Sequence, residues 1–494
     1  MHKLFTISLV AFLSASFISI EADASLRLPA LFSNDMLLQR NVAAKIWGWT
    51  DVRENVTVTT SWNGKIYDAV LSADGADGHG IQWSADIQTA DAGGPYSIIV
   101  ASPSDTVIIK NILLGEVWIC SGQSNMAMPV RGYTGQPVES SLETVLEAPE
   151  YAGKIRIFNV AKDSSHVLKH DCTGKWQKAS SKTVAATSAI AYGFAVRMTN
   201  ALGIPVGIIT SAFGGTKIEA WTPAEALEAS LKGVIPESAI AKKMSVRNTG
   251  RKKPDQPGSL FNAMIYPLVP FTARGFLWYQ GCSNRKDYTH YAEMQAAMVE
   301  AWRKSWNDEN ADMLFAFVTI APHSYGDSMD DTRAFFVENQ LKSLEIIPNS
   351  LAVLSEGCGE EDCIHPSRKK EVADRLAWNI LAKQYGFSGL PYRWPEPAEI
   401  EMKEGLAVVY FDNVKYGLCP TYGEKVEGFE IAGKDRVFHK AEAVVKRDPF
   451  RVEVSSSEVE SPAAVRYAFR NYVEANLCDI AGNPVPPFRT DDWE

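Results

Sequence analysis

The 494-residue sequence has no block rich in lysine and arginine, and its formal net charge is −10. Nucleic acids and anionic membrane surfaces are usually bound through such basic blocks, so neither is an expected partner. The sequence also has no CxxC or HExxH motif, and it therefore shows no zinc-binding pattern. No internal repeat or long low-complexity segment interrupts it. These absences leave a globular protein, whose 46% of hydrophobic residues are ample for a core.

Cysteine is scarce, and its seven copies are an odd number. Disulfide bonds would therefore leave at least one thiol unpaired or paired between molecules. Cys358 and Cys363 are close enough in sequence to close a small loop, and Cys419 and Cys478 share the C-terminal region. We treat these two pairs as candidate disulfides, which an exported protein permits.

The N-terminus predicts export. Residues 1–3 include a lysine, residues 4–20 are almost wholly apolar or small, and residues 22–24 (ADA) offer a small-x-small cleavage site. This pattern is typical of a signal peptide over residues 1–24, which would place the mature protein in the periplasm or outside the cell. An uncleaved membrane anchor is the alternative, although the apolar run is short for a bilayer span. No later segment is long and apolar enough, so we expect no membrane association after cleavage.

Three regions with different patterns follow the signal peptide. Residues 25–112 contain short β-like runs divided by Gly- and Asp-rich turns such as 73–80, which predicts a small β-sandwich. Residues 113–392 alternate apolar strands with helical stretches, which predicts an α/β domain with a parallel sheet covered on both faces. β-like runs return in residues 393–494 and predict a second small β-domain. The predicted strands of the middle region are 116–120, 155–160, 206–210, 275–279, 314–320 and 351–354, and its predicted helices are 184–202, 291–306, 333–346 and 368–385.

The first candidate catalytic residue is Ser124, in the loop that leaves the predicted strand 116–120. The carboxyl ends of parallel strands carry the active site in such sheets, and a serine there can act as a nucleophile beside a general base. Its own backbone N–H could help to stabilise an oxyanion. The surrounding residues 122–126 (GQSNM) are not a Gly-x-Ser-x-Gly elbow, so an α/β-hydrolase is not indicated. Taken alone, this serine could equally line a turn or cap a helix.

Three further strand ends supply complementary groups. Asp362 precedes His365 by three residues, just before a predicted helix, so that a carboxylate could hold an imidazole that acts as the base. Glycines in residues 211–216 (SAFGGT) offer an unobstructed N–H, and the Asn284 amide, after strand 275–279, could donate to an oxyanion. A nucleophile, oxyanion donors and a base with its orienting acid are together what acyl transfer requires.

In their order, these Ser, Gly, Asn and His blocks resemble the SGNH (GDSL-like) hydrolases, and more narrowly the sialate O-acetylesterases. The resemblance implies a three-layer αβα catalytic domain of flavodoxin-like topology, flanked by two small β-domains. It also implies hydrolysis of O-acetyl esters of sialic acid, such as 9-O-acetyl sialate, or of a related sugar, without a metal or other cofactor. The similar segments span nearly the whole mature chain: 122–126 (GQSNM), 213–221 (FGGTKIEAW), 259–267 (SLFNAMIYP), 278–281 (WYQG), 364–366 (IHP) and 486–491 (PPFRTD).

The resemblance also implies the roles of individual residues. Ser124 would be the nucleophile and His365 the base. The N–H groups of Ser124 and Gly215 and the side chain of Asn284 would form the oxyanion hole. Gln280 could also serve the site. Apart from the resemblance, the aromatic rings of Trp221, Trp278 and Tyr279 could stack on a sugar ring.

Two positions depart from the family pattern. Cys282 stands where family members commonly have a glutamate that assists the histidine. Cys363 stands two residues before His365, where many members have an aspartate. Asp362 is therefore the expected acid of the triad, with Glu360 and Glu361 as alternatives. A nucleophilic Cys282 is a further alternative, although no second histidine is obviously placed to activate it.

Two other functions fit the same sequence. An acetylesterase could act on another glycan, such as acetylated xylan or pectin. The 13 tryptophans and 17 tyrosines, with two β-domains, would also suit a carbohydrate-binding protein without catalysis. The expected partner of an esterase is a glycan or small molecule that carries O-acetyl groups.

Overall fold

A computed structural model describes residues 26–72, 80–246, 254–415, 417–423 and 425–493. The predicted signal peptide and almost all of the predicted turn at 73–80 lie outside the described residues. Within the described ranges, none of the helices is long and apolar enough to cross a membrane.

The first part of the chain is built from β-strands, most of them antiparallel. They are β1 (Leu26–Arg27), β2 (Leu37–Gln39), β3 (Ala43–Thr50), β4 (Thr57–Thr60), β5 (Ile66–Asp68), β6 (Val70–Leu71), β7 (Ile81–Gln88), β8 (Gly93–Ala101) and β9 (Thr106–Gly122). One sheet has the order β1-β3-β7-β6, and β5, β4, β8 and β9 pair in a second. Alternate side chains of β7 (Trp83, Ala85 and Ile87) are buried, as expected of strands that cover a core with one face.

Strand β9 joins this region to the central sheet. It is 17 residues long. Its first half pairs antiparallel with β8, and its second half, from Glu116, enters the central sheet. The predicted domain boundary at residue 112 falls inside this strand, and we keep the three-part division only as a proposal.

The central sheet lies in the middle of the chain. Its remaining strands are β10 (Ile155–Asn159), β11 (Trp176–Lys178), β12 (Val206–Ala212), β13 (Gly275–Tyr279), β14 (Leu314–Val318) and β15 (Ser350–Val353). The order is β11-β10-β12-β9-β13-β14-β15, and all neighbours are parallel except β10 and β11. The predicted strands are confirmed. They are mostly apolar because both faces of a parallel sheet are covered by helices.

Helices cover both faces of this sheet. They are α1 (Ser124–Ala127), α2 (Ser141–Glu147), α3 (Ser181–Ala185), α4 (Ala189–Leu202), α5 (Ala224–Leu231), α6 (Glu237–Met244), α7 (Tyr291–Ser305), α8 (Thr332–Ile346) and α9 (Lys369–Tyr385). Trp118 and Cys120 of β9 join the core under α4 and α9, whereas Val117 and Ile119 join the core that includes α7. The predicted α/β class with a three-layer αβα arrangement is therefore confirmed.

The last part of the chain contains three small sheets around a core of its own. Its strands are β16 (Glu396–Lys403), β17 (Leu406–Asp412), β18 (Leu418–Pro420), β19 (Phe429–Ala432), β20 (Phe438–Lys440), β21 (Glu442–Lys446), β22 (Arg451–Ser455), β23 (Ala464–Tyr467), β24 (Leu477–Asp479) and β25 (Phe488–Arg489). The C-terminal sheets dock on the central region through ion pairs between Arg489 and Glu338 (2.9 Å) and between Arg466 and Asp331 (3.2 Å).

All seven cysteines are free, so neither candidate disulfide is formed. Cys419 and Cys478 do lie opposite each other across the β18–β24 pair. The Cys478 thiol nevertheless donates to the Cys419 carbonyl oxygen (3.5 Å), and the Cys363 thiol donates to the His365 carbonyl oxygen (3.3 Å). These two thiols therefore point at backbone oxygens, whereas a disulfide requires them to point at a partner sulfur.

Candidate active site

Ser124 lies at the carboxyl end of β9, next to the point where the chain switches from one side of the sheet to the other. Later strands fall on both sides of β9, and such switch points form ligand crevices. The chain leaves the strand at Gly122 with a φ of 136°, and a Cβ there would lie 2.2 Å from the Tyr279 carbonyl oxygen. Only glycine permits this approach. Gln123 is buried and donates its N–H to the same carbonyl (2.9 Å), so half-buried Ser124 begins α1 at the crevice.

Asn125 connects the segment of Ser124 with the segment of His365. Its Nδ2 donates to the carbonyl oxygen of Ile364 (3.0 Å), and its Oδ1 accepts from Nζ of Lys369 (2.6 Å). The structure thus brings together the neighbours of the predicted nucleophile and base. In this conformation no hydrogen bond joins the two side chains themselves among the described residues. Catalytic hydrogen bonds often tighten only when substrate binds.

A tight turn at residues 133–136 holds the imidazole. Tyr133 and Gln136 exchange backbone hydrogen bonds of 3.0 and 2.9 Å, so their side chains leave the turn on the same face. Oε1 of Gln136 lies 2.8 Å from Nδ1 of His365. The Tyr133 ring meets the imidazole edge to face at 5.3 Å, and its hydroxyl donates to the Ser124 carbonyl oxygen (3.2 Å). The turn therefore contacts both catalytic candidates.

The predicted pair of Asp362 and His365 is not brought together. Glu361 and Asp362 are the two central residues of a turn bridged by Glu360 and Cys363, and both point to solvent. Within the described part of the chain, Asp362 has no hydrogen bond to the imidazole. The Glu360 carboxylate accepts instead from the N–H (2.8 Å) and hydroxyl (2.6 Å) of Ser367. The sequence-based choice of Asp362 as orienter is thus at odds with this geometry, because turn residues face outward.

The electrostatic surroundings favour a neutral imidazole. Burial, followed by the nearby Lys369 and His323, lowers the pKa of His365 to about 4. No carboxylate contributes to this shift. Burial also lowers the pKa of Lys369, whose side chain is 1% exposed, to about 7. The His365 ring is therefore in its basic form at neutral pH, which a general base requires.

The loop with glycines at 214 and 215 reaches Ser124 through Gly214. The Phe213 N–H donates to the Gly122 carbonyl oxygen (3.0 Å), which anchors this loop beside β9. A Cβ on Gly214 would lie 3.3 Å from Cβ of Ser124, and Gly215 has a φ of 75°. Gly214 thus allows the backbone to approach the serine closely, and Gly215 has a backbone conformation that favours glycine.

Asn284 supports this loop from the interior. It is fully buried, its Nδ2 donates to the Glu219 carboxylate (2.8 Å), and its Oδ1 accepts from the Ile218 N–H (3.0 Å). Gln280, also buried, donates from Nε2 to the Thr216 carbonyl oxygen (3.0 Å) and to Asn284 (2.8 Å). Glu219 accepts one N–H of the Asn284 amide, and a carboxamide has a second, so an oxyanion donor at Asn284 stays a prediction.

The aromatic residues predicted to contact a sugar lie in the core. Trp221 and Tyr279 are 0% and 1% exposed and present no ring face to a ligand. Phe213 is partly exposed beside Gly214, and Nζ of Lys162 lies 5.2 Å above its ring. Burial raises the pKa of the Cys282 thiol, which disfavours the thiolate that nucleophilic attack would need.

Sequence reasoning missed several residues of this site. Asn125 lies within the motif at 122–126, but nothing in the neighbouring sequence indicates that it joins the segment of Ser124 to the segment of His365. Tyr133, Gln136 and Lys369 likewise contact Ser124, His365 or Asn125 only after folding. The one available signal for the turn was the pair of glycines at 132 and 135, both with positive φ.

Comparisons with known proteins show the family to which the chain belongs. The family model described as carbohydrate esterase, sialic acid-specific acetylesterase, matches residues 114–382, which is more than half of the chain. The sialate O-acetylesterase of Homo sapiens is 28% identical over 429 residues, covering 80% of this chain and 78% of that protein. The sialate O-acetylesterase of Mus musculus is 27% identical over 451 residues, with 80% of each chain covered.

A solved structure of a carbohydrate acetylesterase has a similar fold. The crystal structure of a carbohydrate acetylesterase from Xanthomonas citri has a TM-score of 0.81 and 30% sequence identity to this chain. It covers 95% of this chain and 100% of its own. The chain therefore belongs to the sialic acid-specific acetylesterase family of carbohydrate esterases, and it is a carboxylic ester hydrolase.

Proposed function

We propose that the protein hydrolyses O-acetyl esters of sialic acid, such as 9-O-acetyl sialate, or of a related acetylated sugar, through an acetyl-enzyme on Ser124. The observation that carries the proposal is the hydrogen bond from Asn125 to Ile364. It joins the residue after the nucleophile to the residue before the base, at the carboxyl end of the central strand. A serine and a neutral imidazole placed in this way are the groups that acyl transfer needs.

The reaction begins with removal of the hydroxyl proton of Ser124 by Nε2 of His365. Oγ of Ser124 attacks the acetyl carbonyl carbon, and the oxyanion that forms accepts from the N–H groups of Ser124 and Gly215. Such donors typically contribute roughly 100- to 1000-fold each to the rate. The imidazolium then gives its proton to the departing sugar oxygen, and the acetyl group stays on the serine. Water then attacks this ester while His365 takes its proton, and the imidazolium returns that proton to Oγ of Ser124 as acetate leaves.

Gln136 takes the position of the third catalytic residue in this proposal. Its carboxamide oxygen accepts from Nδ1–H of His365, which leaves the lone pair on Nε2 for Ser124. An aspartate in this position would also stabilise the imidazolium by its charge. A carboxamide supplies orientation and tautomer control without that charge. We assign Asn284 and Gln280 to support of the glycine loop.

The cleft also offers a feature that suits an acidic sugar. Lys162 and Phe213 place an ammonium group and a partly exposed ring next to Gly214, which itself lies against Ser124. A ring face can pack on the apolar face of a sugar, and an ammonium group attracts a carboxylate. This favours acetylated sialic acid, or the acidic sugars of pectin, over neutral acetylated xylan. It also disfavours a carbohydrate-binding role without catalysis, since the pair stands beside a nucleophile.

The proposal includes export to the periplasm or the medium, with cleavage after residue 24. Mass spectrometry of the protein recovered outside the cytoplasm would then give Ser25 as its first residue. Recovery of the full-length chain from the membrane fraction would support the alternative of an uncleaved anchor.

The experiment is a comparison of acetate release from 9-O-acetyl sialic acid, acetylated pectin and acetylated xylan. We expect the sialate to be the best substrate, and Ser124→Ala to abolish release while leaving the circular dichroism spectrum unchanged. Lys162→Ala should reduce kcat/KM for the acidic substrates more than for xylan. Full activity of Ser124→Ala would refute the mechanism, and a preference for xylan would refute the substrate assignment.

A further inference from the structure

A loop between β14 and α8, residues 319–331, lies against the segment that carries His365. The Ser324 N–H donates to the Glu361 carbonyl oxygen (3.0 Å). A Cβ on Gly359 would lie 2.3 Å from the Pro322 carbonyl oxygen, so the two backbones are in direct contact. The position of this loop therefore constrains the position of the base.

The same loop places His323 near His365 and Tyr325 near Cys282. His323 is close enough for its charge to act on His365. Its buried Nδ1 has no hydrogen-bond partner among the described residues. The Tyr325 ring meets the His323 ring edge to face, with 4.6 Å between the ring centroids. The Tyr325 hydroxyl faces the Cys282 thiol. The guanidinium group of Arg285 lies over the Tyr325 ring, 4.2 Å from its centroid. Neither residue has a role in the mechanism above.

One residue of the C-terminal sheets holds this loop. Asn471 follows β23 and is 1% exposed. Its Nδ2 donates to the carbonyl oxygens of Ser324 (3.2 Å) and Asp327 (2.9 Å), and its carbonyl oxygen accepts from the His323 N–H (3.0 Å). Its Oδ1 accepts from the Arg333 N–H at the start of α8 (2.9 Å). Further contacts of the same residue reach Arg285, Asp330 and Thr332.

The side chain of Asn471 directs its hydrogen bonds at one loop and the residues next to it. An asparagine side chain has two donor hydrogens and two acceptor sites, and here they are directed at one loop and its neighbours. Replacement would remove the Nδ2 donor from the part-buried carbonyl oxygens of Ser324 and Asp327, and the loop would lose the two hydrogen bonds that hold it to Asn471. The ion pair of Arg489 with Glu338 also docks the C-terminal sheets, but it touches α8 and not the loop.

We infer that Asn471 is a positioning residue of the catalytic cleft, because it fixes the 319–331 loop that sets His323 and Tyr325 beside His365 and Cys282. The inference rests on the proposed function. It gives the C-terminal sheets a direct part in catalysis, as the element that completes the wall of the cleft.

The test uses the full-length chain and 4-nitrophenyl acetate, whose small acetyl ester does not depend on sugar contacts. Asn471→Ala should lower kcat/KM by about 10- to 100-fold, the effect of a displacement of catalytic groups on the order of 1 Å. It should also shift the acid limb of the pH profile of kcat/KM to higher pH, as His323→Gln should. His323 lowers the pKa of His365, and the first change displaces this neighbour whereas the second removes it. The titratable groups around this imidazole are His323, Lys369, Tyr133 and Cys363.

Arg489→Gln is the matched control, since it weakens docking of the same sheets without touching the loop. It should lower Tm and leave kcat/KM and the pH profile unchanged. If Asn471→Ala does not fold, Asn471→Asp keeps the acceptor oxygen and loses the Nδ2 donor. This change should reduce kcat/KM in the wild type more than in the His323→Gln background, because residues that act together are not additive.

The inference is overturned if the Asn471 variants keep the wild-type kcat/KM and pH profile, or if they change only Tm as Arg489→Gln does. That outcome, together with hydrolysis by the wild type and its loss in Ser124→Ala, would leave the proposed function intact. A wild-type protein without esterase activity would refute the proposed function instead.

Discussion

The carboxamide oxygen of Gln136 lies 2.8 Å from Nδ1 of His365. A carboxylate commonly occupies this position in serine hydrolases, where it holds the imidazole in one tautomer and stabilises the imidazolium. Gln136 performs the first task and has no charge for the second. The low pKa of His365 agrees with such surroundings, because burial and the neighbouring cation act on it without an opposing carboxylate.

Substitution of Gln136 should therefore change both the rate and the pH profile. Gln136→Leu removes the acceptor of Nδ1–H, so we expect kcat/KM on 4-nitrophenyl acetate to fall roughly 100-fold, the lower range for loss of a positioned general base. Gln136→Glu adds a negative charge, which raises the pKa of His365 and moves the acid limb of kcat/KM to higher pH. Asp362→Asn is the control and should leave both unchanged. Equal damage from Asp362→Asn would restore the aspartate as the orienting acid.

The pH dependence of the wild type follows from the same histidine. Because the pKa of His365 is lowered to about 4, its basic form persists well below neutrality, and kcat/KM should decline only as pH falls toward that value. Lys369→Met removes the neighbouring cation, so the pKa should rise and the decline should begin at a higher pH. The plateau value of kcat/KM should also fall, because Asn125 loses the hydrogen bond from Lys369. A decline displaced to lower pH in Lys369→Met would contradict this account.

The closeness of Gly214 to Ser124 gives a steric prediction. An alanine methyl group there would stand 3.3 Å from Cβ of Ser124, so the serine must move by a few tenths of an ångström. We expect Gly214→Ala to lower kcat/KM by about tenfold, with little change in Tm, because catalysis is sensitive to small displacements. Gly153→Ala, where a Cβ meets nothing within 4 Å, is the matched control. A Gly214→Ala protein with unchanged kinetics would place the nucleophile elsewhere.

The strands and helices of the central region could be predicted because periodic apolar patterns are local. Ser124, the glycines in residues 211–216 and His365 became candidates through one rule, that the carboxyl ends of parallel strands meet at one edge of the sheet, and the resemblance then selected Gly215. The orienter did not follow, because spacing favoured Asp362 and only the folded turn shows that this carboxylate faces solvent. Gln136 comes from a distant loop without periodicity, and its contact with His365 exists only in three dimensions.

The sequence also did not predict which side chains near the site are buried. Trp221 and Tyr279 stand next to motifs of the site, yet the fold turns both side chains into the core. The direction of a side chain at a strand end depends on local turn geometry, which the pattern of residues does not encode. The same reason hides Asn471, whose role depends on the docking of the C-terminal sheets against α8 and the loop before it.

The most direct test of the central claim is the mass of the peptide that contains Ser124 after an acid quench during turnover of 4-nitrophenyl acetate. This activated ester acylates quickly, so the acetyl-enzyme accumulates. We predict that the wild-type peptide gains the mass of one acetyl group, that fragmentation places the group on Ser124, and that Ser124→Ala yields no acetylated peptide. An acetyl group on Cys282, or continued turnover by Ser124→Ala, would contradict the account.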